Sequence, residues 1–416
     1  MKGQNSFSSI DIGSSKIRVI SAKLEEGSDQ LKITGYTEVP SFGMRKGIIV
    51  DATEITNAIA KAIEENERTT GEPIESVWAS VDGAHFESEN SKGVIAVSRA
   101  DNEISEEDLI RVEEAAQAIS LSNNREILHV TPRSYIIDGQ EGIKDPVGMV
   151  GIRLEAETNI ITASSPILKN LTKCLEQANP EIEELIAAPL AASLTVLTQR
   201  QKELGTIVID IGSATTGIVV YIEGEIFYLT VIPIGSSHIT NDIAIALKTS
   251  VEIAEKIKLE YGFASSNEID KKEKIPLGQL DPKNSEAEEE ISRKEVAKVI
   301  EARIREILGL VQKELKKIGY AGQLPAGVIL TGGGSKLPGL VDITKDELGL
   351  PAQVGFPIEL KGVVDQLDDP SAATVIGLLI YGIKSLGSRH EFREKFKGGG
   401  EGILARIKDW FRSFLP

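Results

Sequence analysis

The sequence predicts an α/β protein made of two related halves, with a small α/β module inserted in the first half and an amphipathic helix at its C-terminal end. Three observations predict this. The same turn is written once in each half: SSIDIGSSKIRVI (residues 8–20) and IVIDIGSATTGIVVY (residues 207–221) both set Asp-Ile-Gly-Ser between apolar runs. Alternating, strand-like segments take turns with 3.6-period segments along both halves. Residues 83–163 differ in texture from the segments on either side of them.

Size and composition fit that division. A chain of 416 residues exceeds one compact core, and 41% hydrophobic with 26% charged residues is ordinary globular composition. The net charge of −17 argues against general nucleic-acid binding, which needs surplus Lys and Arg. The single cysteine, Cys174, excludes an intrachain disulfide and fits a reducing cytoplasm. No signal-peptide core and no run of about 18 apolar residues occurs, so contact with a bilayer is expected only from its surface.

Along the first half, KIRVISAKL and LKITGYTEV read as strands. Asp51 opens a helix with Ile55, Ile59 and Ile63 on one face, and SVWASV is a short strand. Within residues 83–163, GVIAVSR, SYIIDG and NIITAS read as strands, and Ser105 opens a helix. The stretch from SPILKNL to AASLTVL is read as helices packed on the first half. The second half restarts with strand, turn and strand, followed by a helical region over residues 239–261. A charged segment, SSNEIDKKEKIPLGQLDPKNSEAEEE, is expected to be a mobile loop. A long amphipathic helix (RKEVAKVIEARIREILGLVQKELKKIG) leads to the strand and glycines of VILTGGGSKLPGL, where Pro338 is expected near a helix start.

The repeated turn has a chemistry. A strand–Asp-x-Gly-Ser–strand bend turns backbone N–H groups outward, and such a concavity binds phosphate. Gly13 and Gly212 let the backbone bend and approach a ligand. Ser14, Ser15, Thr215 and Thr216 add hydroxyl donors, and Lys16 a cation. Asp11 and Asp210 repel phosphate and are suited instead to holding Mg²⁺ through its retained waters. One such turn is no more than a common hairpin; two at matching places point to a cleft gripping one ligand from both sides. Neither G-x-G-x-x-G nor a P-loop occurs in the chain.

These residues, in this order, resemble the actin-like ATPase superfamily, whose fold is a duplicated, ribonuclease H-like pair of domains around a nucleotide cleft. DIGSSKIRVI and DIGSATTGIVVY look like its two phosphate loops, VILTGGGSKLPGL like its adenosine loop, and IAAPLAASLTVL and DDPSAATVIGLLIYGIK like its two connecting helices. The resemblance covers residues 8–386. It implies ATP and Mg²⁺ as cofactors, with Ser213, Ala214, Gly235, Gly332, Gly333, Gly334, Ser335 and Lys336 joining the turn residues in nucleotide binding. Glu255 and Lys258 match positions that meet ribose and base. Relatives that hydrolyse ATP well carry a Gln or Glu where this chain has Ala187, and often an Asp or His where it has Gly217. Neither can polarise water, so tight binding with slow hydrolysis, and no catalytic residue, is the expectation.

The tail has its own signal. After Gly387 comes a charged, Gly-rich segment, expected to be a flexible tether over residues 387–402. In residues 403–416, Leu404, Ile407, Trp410, Phe411, Phe414 and Leu415 fall within an arc of about 140°, with Ile403 opening the helix. Arg406, Lys408 and Arg412 against one Asp make the segment cationic. Such a helix is too short to cross a bilayer and fits an anionic membrane surface, binding reversibly alone and firmly as an array.

Cleft, inserted module and amphipathic tail together resemble the FtsA family of bacterial division proteins, which tether FtsZ filaments to the membrane. The resemblance implies self-assembly into filaments and a place on the inner face of the cytoplasmic membrane at the septum. It also implies that later division proteins meet the inserted module. It divides the chain into a first core (1–82, 164–204, 365–386), the insert (83–163), a second core (205–237, 326–364), a small subdomain (238–325), a tether (387–402) and a membrane helix (403–416). The small subdomain would take the FtsZ C-terminal tail, with Glu301 and Arg303 most like the family's site. Arg293, Lys294, Lys298 and Arg305 complete a basic stretch that reads equally as a solvated face of ion pairs. The alternative within the fold is a type IV pilus assembly adaptor. A sugar kinase lacks a candidate carboxylate, and a chaperone lacks chain for a substrate domain. The four histidines (His85, His129, His238, His390) are too scattered for a site.

Overall fold

The computed structural model describes residues 6–24, 31–280, 290–358, 360–362 and 367–395. Two mixed sheets form the cores. In the first, strands run in the order Glu181–Ala187, Ser76–Val81, Ser6–Ile12, Lys16–Leu24, Leu31–Pro40, Lys361–Gly362. In the second the order is Glu225–Ile232, Thr216–Ile222, Thr206–Ile211, Val328–Thr331, Ala352–Val354. Each repeated turn is the bend of an antiparallel pair whose register closes on it: Ile12 faces Ile17, and Ile211 faces Thr216. The strand entering each turn also pairs in parallel with a strand from later in its half. Both Asp residues therefore stand at the C-terminal ends of central strands.

Helix Ala52–Thr70 begins where Asp51 accepts the N–H groups of Thr53 and Glu54, and ends at Gly71 with φ +74°. It buries Ile55, Ile59 and Ile63 against the first sheet. The insert is a separate four-stranded sheet (Glu87–Ala96, Arg153–Ser164, Arg125–Ile137, Gln140–Ile143) covered by helix Glu106–Ala116. Ser105 and Asp108 form a reciprocal capping box at that helix start.

Three segments differ from expectation. Residues Glu181–Ala187, read as helical, are a strand at the edge of the first sheet, paired in parallel with Ser76–Val81; sheet pairing overrides a helix-compatible composition. Part of the expected loop forms a two-stranded ribbon, Lys274–Pro276 with Glu290–Ser292. Strand Lys361–Gly362 pairs with Leu31–Pro40 in the first sheet, although the division by resemblance groups residues 326–364 with the second core.

Helix Ala188–Val196 and helix Ala373–Lys395 cross between the two cores. They approach closely because Gly377 lies against the Ala191 carbonyl, where a Cβ would come within 1.8 Å. The second helix continues nine residues past position 386, into the span expected to be tether. Residues 396–402 and the proposed membrane helix, Ile403 to Leu415, lie outside the described residues. No described helix is long and apolar enough to cross a membrane.

Candidate functional site

A cavity of about 650 Å³ opens between the two cores, a size suited to a nucleotide-sized ligand. Residues of both repeated turns line it: Asp11, Gly13, Ser14, Ser15 and Lys16 from the first, and Asp210, Gly212, Ser213, Ala214 and Thr215 from the second. Gly332, Gly333, Gly334 and Lys336 close one side, and Glu255 and Lys258 stand at the rim. Three candidates do not line it. Thr216 is fully buried and gives its hydroxyl proton to the Ile234 carbonyl at 2.7 Å. The Ser335 hydroxyl donates to the Gly332 carbonyl at 2.7 Å. Gly235 acts behind the wall: a Cβ there would meet the carbonyls of Gly212 and Ser213 at 2.6 Å.

The glycines shape the cradle. Gly332 has φ +79°, and its Cβ would fall 2.2 Å from Asp210 Oδ1. The expected helix start near Pro338 is a 3-10 turn over Gly333–Lys336, and the α-helix begins at Leu340 after Gly339, with φ +80°.

Three aspartates line the cavity, Asp11 buried and Asp82 and Asp210 partly buried, together with the basic Lys16, Arg18, Lys258 and Lys336. Asp11 accepts the Ser80 hydroxyl at 3.0 Å and lies 3.6 Å from the Arg18 guanidinium, which also bonds Glu38 at 2.9 Å. Burial pushes Asp11 above the usual carboxylate range, with Arg18 opposing. For Asp210, burial and then the Asp82 and Asp11 carboxylates push the pKa up to about 7, against Arg18 and a hydrogen bond from Thr374. Asp82, just after strand Ser76–Val81, is raised by burial against bonds from Thr215 and the Gly83 N–H. Among the described residues, no three His, Cys, Asp or Glu side chains form a group that could hold a metal unaided.

The basic side chains are already engaged. Lys16 pairs with Glu38, Lys336 with Asp369 at 2.6 Å, and Lys258 with Glu255 at 2.7 Å. In the long helix Arg293–Lys317, Arg303 forks onto Asp242 at 2.6 and 2.8 Å and also meets Glu306. Glu301 accepts the Ser266 N–H at 2.8 Å and pairs with Arg305 at 2.9 Å.

Gly217 and Ala187, the two positions singled out by resemblance, are both enclosed by packing. Gly217 lies under Pro189, whose Cγ would be 2.4 Å from any Cβ, so no side chain fits. The N–H of Ala187 is taken by His129 Nε2 at 3.0 Å. Burial depresses the His129 pKa to about 4.

Against this geometry, a family profile described as "Cell division protein FtsA" matches residues 207–377, and one described as "SHS2 domain inserted in FTSA" matches residues 83–162. The cell division protein FtsA of Pseudomonas aeruginosa is 37% identical over 378 residues, covering 90% of this chain and 88% of that protein. The chain belongs to the FtsA family. FtsA of Bacillus subtilis is 37% identical over 385 residues, covering 92% of this chain and 85% of that protein. Among solved structures, the PilM–PilN type IV pilus biogenesis complex superposes with TM-score 0.64 at 17% identity, covering 90% of this chain and 98% of that one. MreB5 of Spiroplasma citri bound to ADP gives 0.54 at 12%, covering 95% and 99%. These likenesses show the actin-like fold, while the family and its role in cell division rest on the FtsA relatives.

Sequence reading missed Asp82, Arg18, Ser371 and Thr374, which also line the FtsA-family cleft in this chain, and Ser80, which bonds Asp11 from behind it. A signal for the first was present: Asp82-Gly83 follows a buried strand, and ligands bind beyond the carboxyl ends of such strands.

Proposed function

We propose that this chain binds ATP with Mg²⁺ in the cleft, assembles into filaments, and links FtsZ filaments to the inner face of the cytoplasmic membrane. One observation carries the reading: two matching turns from two halves, and a glycine loop, line a single cavity in which Asp11, Asp82 and Asp210 come within electrostatic reach of one another. Such a cavity fits a divalent cation shared with phosphate oxygens, since few protein ligands are needed when the ion keeps its waters. The bound cation would neutralise the phosphates and the carboxylates together.

The chain's own groups divide the work. The N–H groups of Ser14, Ser15, Ser213 and Ala214 and the hydroxyls of Ser14, Ser15 and Ser213 orient phosphate. Asp11 and Asp210 hold the hydrated ion. The bare backbone of Gly332–Gly334 gives a flat surface for the nucleoside, and Glu255 and Lys258 meet the ribose and base. With Gly217 under Pro189 and the Ala187 N–H held by His129, no side chain at either position reaches an attacking water, so ATP persists once bound. ATP turnover of roughly ten per second, a typical enzyme rate, would contradict this.

Residues 238–325 would receive the FtsZ tail, with the acidic peptide competing for Arg303 against Asp242 and Glu306. Residues 403–416 would seat on anionic lipid, with apolar Ile403, Leu404, Ile407, Trp410, Phe411, Phe414 and Leu415 inward and Arg406, Lys408 and Arg412 at the headgroups. Later division proteins would dock on residues 83–163. The test is co-sedimentation with anionic liposomes of the full chain and a 1–400 truncation, with and without ATP and an FtsZ tail peptide. Only the full chain should pellet, carrying the peptide with it. Equal pelleting of both removes the membrane role.

A further inference from the structure

The third acid of the cleft does something the paired ones do not. Asp82 belongs to the first half, and its Oδ2 accepts the hydroxyl proton of Thr215, in the second half's turn, at 2.5 Å. Its Oδ1 accepts the Gly83 N–H at 2.7 Å. This side-chain bond runs directly from one core to the other, and both residues line the cavity.

Asp82 is held firmly on its own side. Gly47 packs so closely on Gly83 that a Cβ would sit 2.8 Å from its Cα, and the Gly47 N–H donates to the Ser14 hydroxyl of the first turn at 3.1 Å. Thr215 is equally fixed: its side chain is buried, and its carbonyl accepts the Gly212 N–H at 2.9 Å across the turn. The bond therefore joins two tightly packed turns, one from each half.

Its electrostatic setting is unfavourable. Asp82, Asp11 and Asp210 all line the cavity, where the first two act electrostatically on Asp210, and the Arg18 guanidinium is shared between Asp11 and Glu38. Like charges in a low-dielectric cavity repel strongly. A divalent cation reverses that sign. We propose that Asp82 and Thr215 form a latch across the cleft that a cation sets: with positive charge among the three carboxylates it closes over the nucleotide, and without it their repulsion parts the halves and releases the nucleotide. The latch rests on the reading of the cleft as a magnesium–nucleotide site.

The test is stopped-flow release of mant-ATP, chased with unlabelled ATP, from the full chain in Mg²⁺ and in EDTA. Wild type should release about tenfold faster in EDTA. D82A and T215V should release in Mg²⁺ nearly as fast as wild type does in EDTA, and T215S, which keeps the hydroxyl, should return to within about twofold of wild type. D82N keeps an acceptor for Thr215 but removes the charge, so the acceleration of release by EDTA should be smaller than in wild type. In nucleotide-free protein, amides 12–16 and 212–216 should exchange hydrogen more slowly in D82N than in wild type. Wild-type rates in both D82A and T215V, or an undiminished magnesium dependence in D82N, overturn the latch alone. Failure of wild type to bind mant-ATP overturns the nucleotide reading and the latch with it.

Discussion

The two Asp-Ile-Gly-Ser turns share a sequence and a backbone but live in different electrostatic surroundings. Asp11 has the Ser80 hydroxyl at 3.0 Å and Arg18 at 3.6 Å, so part of its charge is balanced within its own half. Asp210 is half-buried, lies within electrostatic reach of both other cleft carboxylates, and is pushed up to about 7. The first turn leaves Ser15 and Lys16 exposed; the second buries Thr215 and Thr216 and commits their hydroxyls to Asp82 and Ile234. Duplication thus reproduced a shape, while the residues packed around each copy decided which would answer to charge.

The largest break in this comparison should come from Gly235→Ala, because the second turn alone leans on such a glycine. A methyl group there would meet Gly212, Ser213 and Thr215 backbone atoms at 2.6 to 2.7 Å. The expected loss is about 3 kcal/mol by chemical denaturation, in the upper range for overpacking, together with the loss of nucleotide binding.

Next comes a pH contrast in nucleotide-free protein with EDTA present. A carboxyl whose folded pKa is raised contributes stability that is complete below its unfolded value of 3.8 and drains away as pH rises through about 7. Asp210→Asn removes that drain, so relative to wild type it should gain about 2 kcal/mol between pH 5 and pH 8. Asp11→Asn, deprived of its Arg18 pairing, should gain less. Thermal unfolding across that range checks both, and equal gains would erase the asymmetry between the turns.

The smallest effect separates the turn glycines themselves. A Cβ at Gly13 would stand 2.8 Å from the Lys16 carbonyl, whereas at Gly212 it would stand 3.2 Å from that of Thr215. Gly13→Ala should therefore cost about 1 kcal/mol more than Gly212→Ala, measured by urea denaturation of each variant.

Much of this architecture was legible in the residues because local signals agreed with the global fold. Alternation around Asp-x-Gly-Ser, the Asp51 and Ser105 caps, and the apolar stripe of Arg293–Lys317 each describe structure within a few neighbouring positions. What escaped depended on distance along the chain. Glu181–Ala187 is a strand only because Ser76–Val81 lies beside it. Ser80 reaches Asp11 from 69 positions away, and Asp82 reaches Thr215 from 133. The basic stretch around Arg303 read equally as a peptide-binding surface and as a face of ion pairs, because Asp242, its partner, sits 61 positions earlier on another helix.

Helix Ala373–Lys395 begins beside Ser371 and Thr374 in the cleft wall and runs unbroken for 23 residues. At 1.5 Å per residue that is a rod about 34 Å long. Its near end rests on the bare backbone of Gly377 against Ala191, a fulcrum with no side chain between the two helices. From Gly377 to Lys395 the arm is about 27 Å, so a ten-degree tilt at that pivot displaces the tip at Lys395 by about 5 Å, and the helix is a lever whose short arm sits in the cavity wall.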